Sequence, residues 1–242
     1  MKLLTLLFVA ALFSLSPSPS QALDFEGSAS LDVFDKYLWR GINLNDSAAV
    51  TQGAAEISTR GFTLGVWTNA QLESNDAYDS GEINEVDLSI DYSFDVNDLV
   101  SVSVGNVTYI LLDGIDDTNE AYLGVTMNTL LTPTVTAYWD WDQAEKTGAF
   151  YTAAISHTFE PNDFAAINLG ALISYNNESD YSIADYSDWH NYELNASSDL
   201  KVTEALTVTP SILYSSPISD DAKDTIDSEW LAGVNVTYSF SF

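Results

Sequence analysis

Trp230-Leu231-Ala232-Gly233-Val234-Asn235-Val236-Thr237-Tyr238-Ser239-Phe240-Ser241-Phe242 closes the chain in unbroken alternation. Trp230, Ala232, Val234, Val236, Tyr238, Phe240 and Phe242 share one parity, and Leu231, Gly233, Asn235, Thr237, Ser239 and Ser241 share the other. Successive side chains of a strand point to opposite faces, so this stretch reads as a strand with one apolar and one largely hydrophilic face. It is about twice the length of an ordinary strand of about 5–6 residues.

The same period recurs upstream. Over 82–94, Val86, Leu88, Ile90, Tyr92 and Phe94 oppose Glu85, Asp87, Ser89, Asp91 and Ser93. Over 133–143, Val135, Ala137, Trp139 and Trp141 oppose Thr136, Tyr138, Asp140 and Asp142. Read this way, the chain holds twelve candidate strands: 25–40, 50–60, 62–73, 82–94, 99–112, 120–130, 133–143, 148–159, 163–175, 189–200, 205–216 and 229–242. Their connections alternate in length. Tight turns such as Arg60-Gly61 follow even strands, and longer segments (41–49, 74–81, 113–119, 176–188 and 217–228) follow most odd ones. An even strand number with short turns at one end and long loops at the other is the pattern of an outer-membrane barrel.

A soluble sandwich also alternates, but it would bury the apolar face. The aromatic residues decide between the two. On the apolar parity, Trp139, Trp141, Tyr151, Tyr175, Tyr192, Tyr214 and Trp230 fall at the long-loop ends, while Phe62, Phe94, Phe159, Phe240 and Phe242 fall at the short-turn ends. Two girdles flanking an aliphatic band suit the two headgroup levels of a bilayer. The expected fold is therefore all-β: a 12-stranded antiparallel transmembrane β-barrel over 23–242, its apolar face toward lipid and its polar face toward a lumen. Closure satisfies every strand's backbone groups and leaves no edge. The terminal Phe242, in an alternating aromatic run, resembles the signal by which such barrels engage the barrel-assembly machinery.

Before this region, Met1-Lys2 is followed by an apolar run over 3–15, Pro17, Pro19 and the small-residue site Ser20-Gln21-Ala22. The run is too short for a helical span of about 20 residues, and the pattern is that of a secretory signal peptide over 1–22. Lys+Arg number 7 against 36 Asp+Glu, a formal net charge of −29, which excludes nucleic acid as a partner. Without cysteine there is no disulfide framework and no thiol nucleophile.

Within the first 50 residues of the mature chain, Asp35-Lys36-Tyr37-Leu38-Trp39-Arg40-Gly41-Ile42 resembles the D-Y-x-x-R-G-x-S stretch of the TorF family of porins (the Gcw_chp domain). Here Lys36 separates Asp35 from Tyr37, and Asn43 stands where a Ser is expected. Gln52-Gly53 and Arg60-Gly61-Phe62 leading to Gly65-Val66-Trp67 are similar to the family's next strands. The resemblance implies a signal-bearing barrel of the cell outer membrane with a transport role; it implies no ligand, cofactor or catalytic residue.

Strand direction places the inward acids by depth. Glu73, Asp140 and Asp142 come late in outward strands, and Glu85, Asp87, Glu120 and Glu193 early in returning ones. All seven are expected near the outer third of the lumen, faced by Lys36 and Arg40 from the first strand. Rings of carboxylates favour cations, and opposed charges set a transverse field. The functional expectation is a passive, cation-preferring pore for small hydrophilic solutes. The alternative is a non-conducting structural or adhesive barrel. Acidic loops such as Asp220/Asp221/Asp224/Asp227/Glu229 and Asp113/Asp116/Asp117 match no complete calcium-loop signature, so no metal is expected. A lipid hydrolase would need His157 or His190, both on the apolar parity, with an outward serine nearby; none stands at a matching position.

Overall fold

The computed structural model describes residues 24–112 and 114–242, so the expected leader over 1–22 and Asp113 lie outside the described residues. In chain order the elements are β1 (Glu26–Phe34), β2 (Leu38–Trp39), β3 (Ile42–Asn43), β4 (Val50–Thr59), β5 (Phe62–Gln71), β6 (Ile83–Asn97) and β7 (Val100–Leu111). There follow β8 (Thr118–Met127), β9 (Thr134–Asp140), β10 (Ala149–Asn162), β11 (Ala165–Ser179), β12 (Ala184–Lys201), β13 (Leu206–Pro217), a one-turn helix α1 (Asp220–Lys223) and β14 (Glu229–Ser241). All strands but β2 and β3 join one antiparallel sheet that closes on itself through β1 and β14, giving a barrel of twelve strands.

Closure sends each parity to its expected side. Leu31, Leu88, Val234 and Ile167 are exposed on the outside of the barrel, at 56 %, 48 %, 42 % and 43 %. The opposite parity carries side chains that bond to one another across the lumen wall: Asn235 to Asp32, Tyr122 to Asp91, Thr209 and Asn168 to Asp199. The exposed outer band is far larger than a soluble protein leaves uncovered. At the long-loop rim Trp139, Trp141, Tyr151 and Trp230 are exposed, and at the turn rim Phe62, Phe94, Phe159, Phe240 and Phe242. Phe240 lies over Gly27 on the neighbouring β1, where a Cβ would come within 2.6 Å of its ring.

The tight turn after β4 has positive φ at both Arg60 (51°) and Gly61 (84°), the type I′ geometry whose twist matches a two-residue hairpin. Three departures from the sequence expectation follow from local hydrogen bonding. Pairing of the first strand stops at Phe34, not at residue 40, because the Asn45 side chain accepts from the Tyr37 amide and the Leu44 amide donates to the Tyr37 carbonyl, turning the chain inward. The segment 176–188 is mostly strand rather than loop: β11 and β12 stay paired up to Ser179 and Ala184, stitched by the Asn176 amide donating to the carbonyls of Ala184 and Tyr186. A bulge then sets Ser174 against both His190 and Asn191, so the parity of β12 flips and Trp189, not His190, faces outward.

Arginine at the middle of the outer band tests this sidedness. Val234→Arg is expected to cost ~2–4 kcal/mol and Ser211→Arg, on the lumen face, under about 1 kcal/mol, read from urea midpoints of vesicle-inserted protein. Equal costs would contradict it.

Candidate functional site

The chain between β1 and β4 does not lie over the rim. Residues 35–49 fold into the barrel as a small hairpin, with Leu38 paired to Asn43 and Trp39 to Ile42. Its tip is Arg40-Gly41, with φ of 50° and 81°, the same turn geometry as Arg60-Gly61. Gly41 is required by space as well: a Cβ there would stand 2.8 Å from Ile226 and about 3 Å from Asn191 and Ser215. Asn45, itself buried, holds the hairpin's base through the Tyr37 amide, the Ala48 carbonyl and Gln71.

The tip carries a bidentate ion pair. The Arg40 guanidinium donates from Nη1 to Oε1 and from Nη2 to Oε2 of Glu120 on β8, at 2.9 and 2.7 Å. The two side chains are 10 % and 3 % exposed. Tyr109 on β7 donates a further bond to Glu120 at 3.1 Å. Three rings, those of Trp39, Tyr138 and Phe150, sit 4.4–4.7 Å from the guanidinium carbon. A bidentate pair enclosed this way is costly to break from one side, about 3–5 kcal/mol, because the remaining charge stays buried. Cation–π contacts add on the order of 0.5–2 kcal/mol each in such surroundings.

Other strands reach the same hairpin. Tyr37 is buried, donates to Glu85 on β6 at 2.8 Å and packs on Trp67 of β5 at 5.6 Å. Lys36 pairs with Glu229 at the start of β14 at 2.7 Å. One ring nitrogen of buried His190 meets the Arg40 carbonyl at 2.8 Å, and the other meets the Tyr186 hydroxyl. The hairpin therefore leans on strands from every side of the barrel, and the lumen narrows at its level.

The expected site residues divide accordingly. Glu85, Asp87, Glu120, Asp140 and Glu193 lie inside the barrel on β6, β8, β9 and β12. Glu73 and Asp142 differ from expectation. β5 ends at Gln71 and β9 at Asp140, so both acids are exposed at the rim, Glu73 beside the Ala49 amide and Asp142 bonded to Asn119, whose parity is outward. Lys36 and Arg40 do face the acids, but from the inward hairpin rather than from a strand. The interior acids are also mostly partnered: Asp140 accepts from the Thr118 hydroxyl, which sits 2.9 Å from both carboxylate oxygens, and from the amides of Asp142 and Gln143, and Glu193 accepts from Asn191. In the acidic outer loop, Lys223 at 2.7 Å holds Asp220 below the usual carboxylate range.

Tyr37, Trp39, Tyr109, Glu229 and His190 were not singled out from sequence as lumen residues. The bulge that turns His190 inward had a signal: Trp189 and Tyr192 are girdle-type aromatics of opposite parity in one strand. Nothing in the sequence pairs Lys36 with Glu229, 193 residues away.

Comparison with known proteins gives a consistent picture. The model of the family described as "Bacterial protein of unknown function (Gcw_chp)" matches residues 20–238. No curated protein sequence matches the chain significantly. The NanC porin superposes with a TM-score of 0.57 at 15 % identity, covering 90 % of this chain and 99 % of that one. The KdgM porin in complex with disordered oligogalacturonate gives 0.56 at 13 %, covering 89 % and 99 %. The COG4313 outer membrane channel from Pseudomonas putida gives 0.55 at 10 %, covering 94 % and 100 %. Likeness at this level of identity concerns the fold.

Loss of the buried pair should free the hairpin. Arg40→Ala is expected to lower the exchange protection of the Leu44 amide by more than about tenfold in deuterium-exchange mass spectrometry, with a smaller effect for Lys36→Ala, whose pair is less enclosed.

Proposed function

The chain belongs to the Gcw_chp family, and on that premise we propose that it is an outer-membrane channel for passive diffusion of small hydrophilic solutes, narrowed by the inward hairpin 35–49 and preferring cations. The observation that carries this reading is the charge of the lumen. Asp32, Glu56, Glu85, Asp87, Asp91, Glu120, Asp140, Glu193 and Asp199 stand on the inward parity of the barrel strands. Among the described residues Lys36 and Arg40 are both tied to carboxylates, and of the basic residues only Lys201 belongs to a barrel strand, at its turn end. A solute passing the hairpin thus meets acceptors and negative charge, which favours cations over anions.

The fold shared with NanC, KdgM and the Pseudomonas putida channel supports a conduit rather than an enzyme, and so does the resemblance to the TorF porins. Both histidines have ordinary partners, His157 the Leu130 carbonyl and His190 the hairpin. The exposed apolar band and its girdles support residence in outer-membrane lipid. In this reading residues 1–22 are a leader removed on export, and Phe242 is the handle for the barrel-assembly machinery.

A second reading, a non-conducting structural or adhesive barrel, is favoured by one observation: the inward hairpin is bonded to strands on several sides of the lumen, β6, β8, β12 and β14. Planar-bilayer recordings separate the two. The expected result is discrete conductance with a reversal potential of cation sign under a KCl gradient, reduced by Glu85→Gln with Asp87→Asn. Absence of conductance would favour the structural barrel, and a reversal potential of anion sign would contradict the selectivity.

A further inference from the structure

Beside the hairpin, at the long-loop end, the lumen holds a cavity of about 330 Å3. Its walls are aromatic: Tyr37 and Trp39 from the hairpin, Tyr109 from β7, Tyr78 from the loop after β5 and Tyr181 from the β11–β12 connection. Asp140 lies among its lining residues together with Glu85 and Glu120. The Tyr181 hydroxyl donates to the Asp116 carbonyl, tying together two loops that are not neighbours around the barrel.

The hydrogen-bond inventory of this cup is lopsided. Four of its hydroxyl donors are already aimed at acceptors of the protein, Tyr37 at Glu85, Tyr109 at Glu120, Thr118 at Asp140 and Tyr181 at Asp116, and the Ser182 hydroxyl is bonded to that of Ser179. The Arg40 guanidinium is held by Glu120. Asp140 is 3 % exposed and receives bonds from neutral donors only, so no cation is bonded to it. A hydroxylated neutral solute would bring acceptors that find few donors here, and an anion would meet carboxylates. A group that only donates and carries positive charge matches the cup, and an apolar body matches its rings.

Resting on the channel reading, we propose that this aromatic cup is a binding subsite for a primary ammonium ion with a compact apolar or aromatic body, its N–H groups toward Asp140 and its body against Trp39, Tyr78 and Tyr181. The subsite would concentrate such a solute above the hairpin before passage.

The test is isothermal titration calorimetry on the full barrel refolded in detergent, with three ligands of similar shape: benzylammonium, benzyl alcohol and benzoate. Benzylammonium is expected to bind saturably at one site, and the other two about tenfold more weakly or not at all. Asp140→Asn is expected to weaken benzylammonium about tenfold, while Glu204→Gln, the same charge change in the turn at the opposite end, leaves it unchanged. Benzyl alcohol binding as tightly as benzylammonium would overturn the proposal, leaving an apolar cup without charge recognition. Tight benzoate binding, or an Asp140→Asn barrel that folds and binds normally, would also overturn it. The wild-type ligand comparison stands even if that variant does not fold. Conductance is measured separately. A cation-selective channel without benzylammonium binding defeats the subsite alone, and a non-conducting barrel that binds it defeats only the channel reading.

Discussion

The pairing of β1 with β14 is the constraint on which the rest depends. From Glu26↔Ser241 to Phe34↔Gly233 the first strand meets the last along its whole length, and the sheet has no edge. In hydrocarbon an unpaired backbone N–H or C=O costs several kcal/mol, so only a closed sheet can place these strands in lipid. Closure also decides what alternation means. In an open sheet laid on a partner the apolar parity would be the core. Here the barrel has an inside of its own, and the inside takes the Ser, Thr, Asn and acidic residues.

An interior of that kind is a concentrated field of negative charge, and the hairpin 35–49 answers it locally. With only seven basic residues in the sequence, two of them sit in this one segment, and both end on carboxylates. The position is held by opposite charge from β8 and β14, by rings from β9 and β10, and by a carbonyl contact to His190 on β12. One anchor alone would leave the segment free to swing to the rim; several on different strands fix it across the lumen. What remains open beside it is lined by aromatic rings and acceptors.

Strand number, direction, turn placement and the two girdles were legible from sequence because an apolar outside and a polar inside impose a strict period of two over long strands. The signal fails where that period is not enforced. Residues 36–40 alternate well enough to extend a strand, yet the side-chain carbonyl of Asn45 captures the Tyr37 amide and turns the chain inward. Such a contact depends on three-dimensional closure rather than periodicity. A single bulge in β12 reverses parity, which misplaced His190. Glu73 and Asp142 kept the right parity but lie beyond the last paired residues of their strands, where parity no longer governs direction. The acids within the strands stand on the inward parity, and their hydrogen-bond partners, Arg40 excepted in part, are not legible in the sequence.

Since the chain has no cysteine, single labels can be introduced without background. Nitroxides placed one at a time by cysteine substitution at 232–237 in bilayer-inserted protein would report accessibility to oxygen in lipid and to a water-soluble nickel relaxant. Oxygen maxima at 232, 234 and 236 with nickel maxima at 233, 235 and 237 are the expected result. The reverse phase, or no alternation, would contradict a barrel that shows its apolar side chains to lipid and its polar ones to a lumen.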